Sequence, residues 1–329
     1  MDRSELERGL STIALCKDRT GDIWHAHFGA AAIAAWFFAQ EHEELSELAV
    51  QAVRAQTEAM LERHALSRGE IDGEALALDE AQRIIVDALS LTIDRLHWVG
   101  HNVIYAAHSL QALRALGGWG TRSDIEGIAA LLRAFDRTIP GRSWIGYTAS
   151  EVKRLDLHAA ALAGGGLPDI EDAAQLSAFV LGELGAFRTI YRAEAHHDLI
   201  GHLLTYSHAL NLLYDLGYRE LFRRGLPSVL KLAVVLRASR DLALEEPVKL
   251  VSPVDRLPLR ESRRSEQLPL EAAYWLQDHA GHEWDGGHSF KFPAAYYDHR
   301  KRVPVDGANA AYEEKFRYLL IESDVASER

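Results

Sequence analysis

Apolar residues recur at helical spacing along most of the chain, and no segment shows the sustained apolar and polar alternation of a half-buried strand. A segment with this spacing buries one stripe of side chains against its neighbours, so the pattern predicts an all-α fold. Four prolines within 246–269 predict a long ordered loop. We therefore expect one large helical bundle with long ordered loops.

Break signals divide the chain into predicted helices. They are expected at 30–64, 79–96, 97–116, 123–137, 170–191, 198–216 and 227–242. The segments IGYTA and VKLVSPV, at 145–149 and 248–254, are candidates for short strands. No shift in composition marks a boundary, and 329 residues are within reach of one helical domain, so we expect a single domain over 1–329.

Charge and cysteine content narrow the class of protein. A net charge of −12 argues against binding to nucleic acid, which requires a concentrated basic surface. The single cysteine, Cys16, cannot form an intramolecular disulfide and is too little for a thiolate metal site, so a reducing cytoplasm is expected. The apolar run at 28–39 is too short to cross a bilayer, and no membrane span is expected.

Histidines are the least expected feature of these helices. Of 16 histidines, 13 fall in four short windows, which are His25 and His27; His97, His101 and His108; His196, His197, His202 and His208; and His279, His282, His288 and His299. Buried imidazoles that face one another cost free energy unless a metal ion or a proton network satisfies them. Imidazole nitrogen suits iron, zinc, copper and nickel, and helical bundles commonly hold metals between facing helices.

Two of these windows share a pattern. GHNVIYAAHSLQALRALG at 100–117 resembles GHLLTYSHALNLLYDLG at 201–217. At 100° per residue, His97, His101 and His108 fall within about 40° of one helical face, whereas His202, Thr205 and His208 advance by about 60° at each step. One member of the second set is therefore a candidate for a position behind the metal ligands.

A buried lysine offers the negative charge that a set of imidazoles lacks. In DGGHSFKFP, His288 and Lys291 lie three residues apart, on adjacent positions of a helical turn. Burial disfavours the ammonium form, so the amine at Lys291 is expected to be neutral. A neutral amine can take up carbon dioxide and become a carbamate, which is an anionic oxygen ligand.

Taken together, these motifs resemble the questin oxidase-like family of mostly helical proteins. HLLTYSHAL, from His202 to Leu210, is similar to its His-x-x-Thr-x-x-His-Ala-Leu motif, and GGHSFK is similar to its terminal histidine and lysine motif. HNVIYAAHSL, which begins at His101, matches a further helix, with Tyr105 where arginine is usual. His27 matches an Asn-His motif, with Ala26 in place of the asparagine.

The resemblance implies a mononuclear non-heme Fe(II) centre with four histidines and a carboxylated lysine, which uses dioxygen to oxidise an aromatic or quinone-type ring by ring cleavage or by a Baeyer-Villiger-like reaction. It implies five candidates for the four histidine positions, together with a CO2-modified Lys291 and a hydrogen bond from Thr205 to the carbamate. The candidates are His27, His101, His202, His208 and His288. Whether NADPH or another external reductant takes part is left open.

Aromatic residues beside the histidines are candidates for a wall that binds a flat substrate. The predicted substrate-binding residues are Trp98, Tyr105, His108 and Tyr206. Two other functions remain open at this stage. The same ligands could hold zinc or manganese in a hydrolase that activates water, or the histidines could form a polar network in a non-catalytic helical protein that binds small molecules.

Overall fold

The protein is described in a computed structural model that covers residues 2–67, 74–162, 166–243, 248–279, 287–305 and 307–320. Helices account for most of these residues, and the strands among them form one two-stranded sheet, so the predicted all-α class is confirmed. No helix in these ranges is long and apolar enough to cross a membrane. His282 lies outside the described residues.

The helices are numbered in chain order. Those of the first half are α1 (Ser4–Thr20), α2 (Ala26–Glu41), α3 (Glu47–His64), α4 (Leu78–Ser90), α5 (His101–Leu116), α6 (Arg122–Arg133) and α7 (Ala149–Arg154). Those of the second half are α8 (Leu157–Leu162), α9 (Ala173–Gly185), α10 (Leu199–Asp215), α11 (Arg219–Arg237), α12 (Ala272–Trp275), α13 (His288–Arg302) and α14 (Asn309–Arg317).

Four helices form the centre of the protein. α2 packs on α5, α5 on α10, α10 on α13, and α13 on α2, which closes a ring of four neighbours. Most side chains of α5 and α10 are buried on every side, because an outer layer that includes α1, α9 and α11 covers them. This burial explains why the central helices are apolar around most of their circumference rather than along one stripe.

The central helices run in the same direction. Residues near their N-termini lie together at one end of the ring, namely His27, His101, His202 and His288. Residues about two to three turns further along line a small common cavity, namely Ala34, His108, His208 and Asp298. Four helix N-termini therefore converge on one point, where their dipoles disfavour protonated imidazole and favour anions.

Two predicted helix boundaries are wrong. The segment at 30–64 is two helices, because the Ser46 side chain accepts a hydrogen bond from the Ala49 N–H at 3.1 Å and begins α3 afresh. α11 begins at Arg219 and not at Pro227, which lies inside it. Packing of the apolar face of α11 against α10 maintains the helix across the proline, despite the backbone hydrogen bond that the proline cannot donate.

Most of the remaining predicted elements are present with shifted ends. The two candidate strands pair antiparallel as β1 (Trp144–Ile145) and β2 (Leu250–Val251). The described part of the proline-rich segment, 248–269, is irregular apart from β2 and an isolated bridge. The main hydrophobic core includes residues from Leu6 to Leu320, and a smaller cluster lies around Ile145, Tyr191 and Leu259. The single domain over 1–329 stays a prediction.

Candidate metal centre

Four imidazoles from the four central helices meet at their converging N-termini. One nitrogen each of His27, His202 and His288 lies within 4.8 Å of the other two. The ring centroid of His101 is 4.8 Å from that of His202 and 5.3 Å from that of His27. The sequence windows around these residues thus converge, although they are up to 261 positions apart in the chain.

His101 is held in place by an unusual turn. Trp98, Val99 and Gly100 form a short 3₁₀ segment in which all three have positive φ, at 40°, 52° and 97°. Left-handed backbone at a bulky or β-branched residue is strained, and such strain is concentrated at functional sites. Backbone hydrogen bonds from the N–H of Trp98 and of Val99 to the carbonyls of Ile139 and Pro140, at 2.9 and 2.8 Å, hold the turn.

His202 and Asp198 are positioned by a π-helical turn, Glu194–Asp198, that leads into α10. π-Helical turns often occur at functional sites. The Asp255 carboxylate accepts hydrogen bonds from the backbone N–H groups of Glu194 and Ala195, both at 2.9 Å, and so fixes the start of the turn. The loop at 248–269 therefore contributes to the geometry of the centre.

Gly287 provides the space for His27. A Cβ at this position would lie 2.0 Å from Nδ1 of His27, so that any larger residue would collide with the imidazole. The glycine immediately precedes α13, where His288 is the first residue. The glycine at 287 in the sequence thus permits two imidazoles from different helices to approach each other, with ring centroids 4.5 Å apart.

Hydrogen bonds set the tautomers of two candidate ligands. Nδ1 of His101 contacts the Trp98 carbonyl at 2.5 Å, and Nδ1 of His202 contacts the Asp198 carbonyl at 2.8 Å. Because a carbonyl only accepts, each Nδ1 carries the proton and each Nε2 carries a lone pair. Nε2 of His202 is buried and has no hydrogen-bond partner among the described residues. Such a donor set fits a metal ion, which would satisfy that nitrogen.

Asp198 is a site residue that the sequence analysis missed. Its two carboxylate oxygens lie 3.3 Å from Nδ1 of His202 and 3.4 Å from Nδ1 of His288. The two histidines hold the pKa of this buried carboxyl well below its usual range, against the opposing effect of burial. Asp198 therefore supplies a negative charge that orients two imidazoles, and its position four residues before His202 was the available signal.

Lys291 is buried beside the imidazoles. Its Nζ lies 2.6 Å from Nε2 of His27. Burial lowers the pKa of the lysine well below its ordinary value, in agreement with the expected neutral amine. Burial likewise keeps the pKa of His27 well below its ordinary value. Burial therefore disfavours the charged forms of both Lys291 and His27.

The structure places His208 and His108 away from this centre. Their rings are 5.7 Å apart, and both line a cavity of about 10 Å³ with Asp298. His208 lies six residues beyond His202 and His108 seven beyond His101. At 1.5 Å of rise per residue, each is roughly 10 Å further along its helix. The predicted common face holds for His101 and His108, which both belong to α5, but not for His97, which precedes the helix and lines a different cavity. Residues on the same side of a helix can also differ in height.

The remaining predicted site residues lie at different distances from the metal centre. Thr205 is buried one turn after His202, and its hydroxyl has no hydrogen-bond partner among the described residues. Tyr105 is buried with its ring 6.0 Å from that of Phe135, and Tyr206 packs beneath Gly100. Neither tyrosine is among the described residues that line the cavity at the metal centre, because α5 and α10 face several neighbours each.

A cavity of about 400 Å³ opens onto the four histidines. Trp24, Phe28 and Trp98 form an aromatic side, and the rings of the two tryptophans meet edge to face at 4.7 Å. Arg142 and Glu194 form a polar side, joined by hydrogen bonds of 2.8 and 2.6 Å. Trp98 is the predicted substrate-binding residue that the structure places in this wall. Trp24, which is 41% exposed, lies at the mouth.

Comparison of the chain with family models, with curated proteins and with solved structures found no match. The geometry of the site therefore carries the functional argument.

Proposed function

We propose that this protein is a metal-dependent oxygenase that binds iron through His27, His101, His202 and His288 and acts on a flat aromatic or quinone-type small molecule. The observation that carries the proposal is the convergence of four imidazoles beneath a cavity with an aromatic side. Resemblance of the motifs to the questin oxidase-like family supports the choice of iron and dioxygen. Iron in such a site supplies the redox chemistry that dioxygen requires.

The chain itself would bind and orient the substrate. Trp24 and Trp98 offer flat apolar surfaces, while the Arg142 and Glu194 pair offers hydrogen bonds to polar substituents of a ring. A substrate of that shape would displace water from most of the cavity. The dipoles of the converging helix N-termini would favour an anionic substrate, such as a phenolate, near the imidazoles.

Lys291 would complete the set of ligands after reaction with carbon dioxide. The neutral amine forms a bond to the carbon of CO2 and loses one proton, which leaves a carbamate with a single negative charge. Asp198 lies behind two imidazoles and is not a member of the group of potential ligands, so a carbamate would be an anion in direct contact with the metal. The unpartnered Thr205 hydroxyl is a candidate donor to it.

Metal analysis and oxygen uptake test the proposal. Protein loaded anaerobically with Fe(II) is expected to retain one iron per chain and to consume oxygen in the presence of hydroxylated quinones. His202→Ala should retain little iron, because its Nε2 faces the other imidazoles. His208→Gln is the matched control, since it removes a buried imidazole of the same helix, and should retain iron.

The outcomes distinguish the alternatives that the sequence left open. Oxygen-independent turnover with zinc or manganese would favour a hydrolase. Absence of stoichiometric metal under every loading condition would favour a small-molecule-binding protein without a metal. Lys291→Ala tests the role of the carbamate. This variant should lose iron, and formate or acetate, which can replace the missing carboxylate, should partly restore iron binding.

A further inference from the structure

A second cavity of about 400 Å³ lies on the opposite side of the turn that carries His101. The segment 94–97, the segment around Thr138, α7, α8 and α11 enclose it. Its basic residues are Arg95, Arg137, Lys153 and Lys231, and its acidic residues are Asp94 and Asp156. Four positive and two negative charges give the lining a net charge of +2, in a chain whose net charge is −12.

The carboxylates of this cavity are already occupied. Asp94 accepts two hydrogen bonds from Arg224, at 2.9 and 2.7 Å, and Arg224 does not line the cavity. Asp156 accepts the backbone N–H of His158 at 2.9 Å. Neither contact comes from a basic residue that lines the cavity.

Nε of Arg137 lies 3.5 Å from the Asp136 carboxylate, but the other three basic residues of the cavity have no such ion pair among the described residues. Within the described ranges, Arg95, Lys153 and Lys231 form no ion pair with a carboxylate within 4.0 Å. Lys231 donates to the Lys153 carbonyl at 3.1 Å, and partial burial lowers its pKa. A concave surface with like charges concentrates the electrostatic field, and a partly buried cation without a counter-ion is stabilised by a bound anion.

The wall between the two cavities is strained. In the described chain, the non-glycine residues with positive φ are Trp98, Val99 and Arg137. Trp98 and Val99 face the metal-centre cavity, and Arg137 faces the basic cavity. Backbone hydrogen bonds from Trp98 and Val99 to Ile139 and Pro140 join the two chain segments that form this wall.

A side-chain hydrogen bond also joins the two segments of the wall. His97, which lines the basic cavity, bonds through Nδ1 to the Thr138 hydroxyl at 3.0 Å, and Trp98 follows it on the other side of the wall. His97 lies four positions before His101 in the chain. A shift of the wall on the basic side would therefore be transmitted to the aromatic side of the other cavity and to one candidate ligand.

We propose that the basic cavity binds a small phosphorylated or polycarboxylate anion through Arg95, Lys153 and Lys231, and that this binding alters the Trp98 turn beside the metal centre. The first half of the proposal is independent of the reaction proposed above. Both halves can be measured on metal-free protein without any turnover, so that failure of the oxygenase proposal would leave them intact.

Calorimetric titration with pyrophosphate and with citrate, at constant ionic strength, tests the binding. One saturable site per chain is expected for at least one of these probes. Charge-assisted hydrogen bonds are roughly twice as strong as neutral ones, so Lys231→Gln and Arg95→Gln should each weaken binding by about tenfold or more. Lys315→Gln is the matched control, because Lys315 also donates to a backbone carbonyl, at 2.8 Å, but lies elsewhere.

Tryptophan fluorescence tests the link to the metal centre. Saturation with the anion that binds should change the emission of the protein, and Trp98→Phe should remove most of that change while leaving the affinity within about twofold. Absence of saturable binding, or equal affinity in all lysine and arginine variants, would overturn the assignment of the site. Binding that leaves Trp98 emission unchanged would overturn the coupling.

Discussion

Asp198 shows how a single buried charge can organise a group of imidazoles. Its carboxylate approaches two imidazoles at 3.3 and 3.4 Å, and its backbone carbonyl accepts the proton of His202 Nδ1. The same residue thus fixes a tautomer and provides a compensating charge. Polar partners of this kind orient metal-binding imidazoles and so contribute to metal affinity without contacting the ion.

Asp198→Asn should therefore weaken metal binding by about 10–100-fold without removing a ligand. The amide retains the shape of the side chain but not its charge. Affinity can be measured by competition with a chelator of known affinity. Asp298→Asn is the matched control. It changes a carboxyl further along the central helices, beside His208, and should leave metal affinity unaltered. Equal affinity of Asp198→Asn and the unmodified protein would show that the carboxylate has no such role.

Among the elements, the turn from Trp98 to Gly100 links the fold to the site most directly. Gly100 has φ of 97°, and a Cβ there would lie 2.3 Å from Cγ of Tyr206 on α10. The turn therefore combines a left-handed backbone with close packing of α5 on α10. Both requirements fall on a residue adjacent to the candidate ligand His101.

Gly100→Ala should lower the free energy of unfolding by at least about 2 kcal/mol, because backbone strain and overpacking add. Gly217→Ala is the control, since Gly217 has a similar φ of 94° but open space around the missing Cβ, and it should cost only about 1 kcal/mol. Urea unfolding of both variants provides the comparison. Equal losses would mean that contact with Tyr206 contributes nothing.

The whole molecule carries many imidazoles that burial keeps neutral. Burial lowers the pKa of His196 and of His299 to about 4, and it also lowers the pKa of His101 and His108 well below the ordinary value. In the unfolded chain such groups titrate near 6.5. The folded state therefore binds fewer protons than the unfolded state over this interval.

The free energy of unfolding should fall as the pH is lowered from about 6.5 to about 4. In this window the unfolded chain gains protons that the folded chain excludes, at up to about 1.4 kcal/mol per pH unit for each such histidine. His299→Gln should flatten the dependence measured by urea unfolding. Glu5, whose pKa burial raises to about 7, acts in the opposite direction. A stability that is constant or rises on acidification would contradict the prediction.

Local patterns were sufficient for much of the fold. Periodicity predicted the helical class, and α5, α6 and α10 begin and end within a few residues of their predicted positions, because their apolar spacing and glycine breaks agree with their tertiary surroundings. The predicted boundaries were wrong where a capping hydrogen bond begins a new helix, as at Ser46, and where packing maintains a helix across a proline, as at Pro227.

The composition of the candidate site was only partly readable from the sequence. Helical spacing fixes the angle of each side chain about its own axis and its height along that axis. It does not fix how far one helix is shifted along the next. For this reason the sequence offered five histidines for one centre, and only the packing shows that His101 and His202 meet His27 and His288 while His208 lies further along α10.

The amino-acid sequence by itself determined that this chain would form helices and that its imidazoles would be buried within them. Only the tertiary structure decided which imidazoles meet, because the relative stagger of α2, α5, α10 and α13 depends on packing between distant segments. The same packing introduced Asp198 through a π-helical turn and placed Trp98 in a strained wall between two cavities. No local pattern encodes either arrangement, since each depends on contacts with loops more than 30 residues away in the chain.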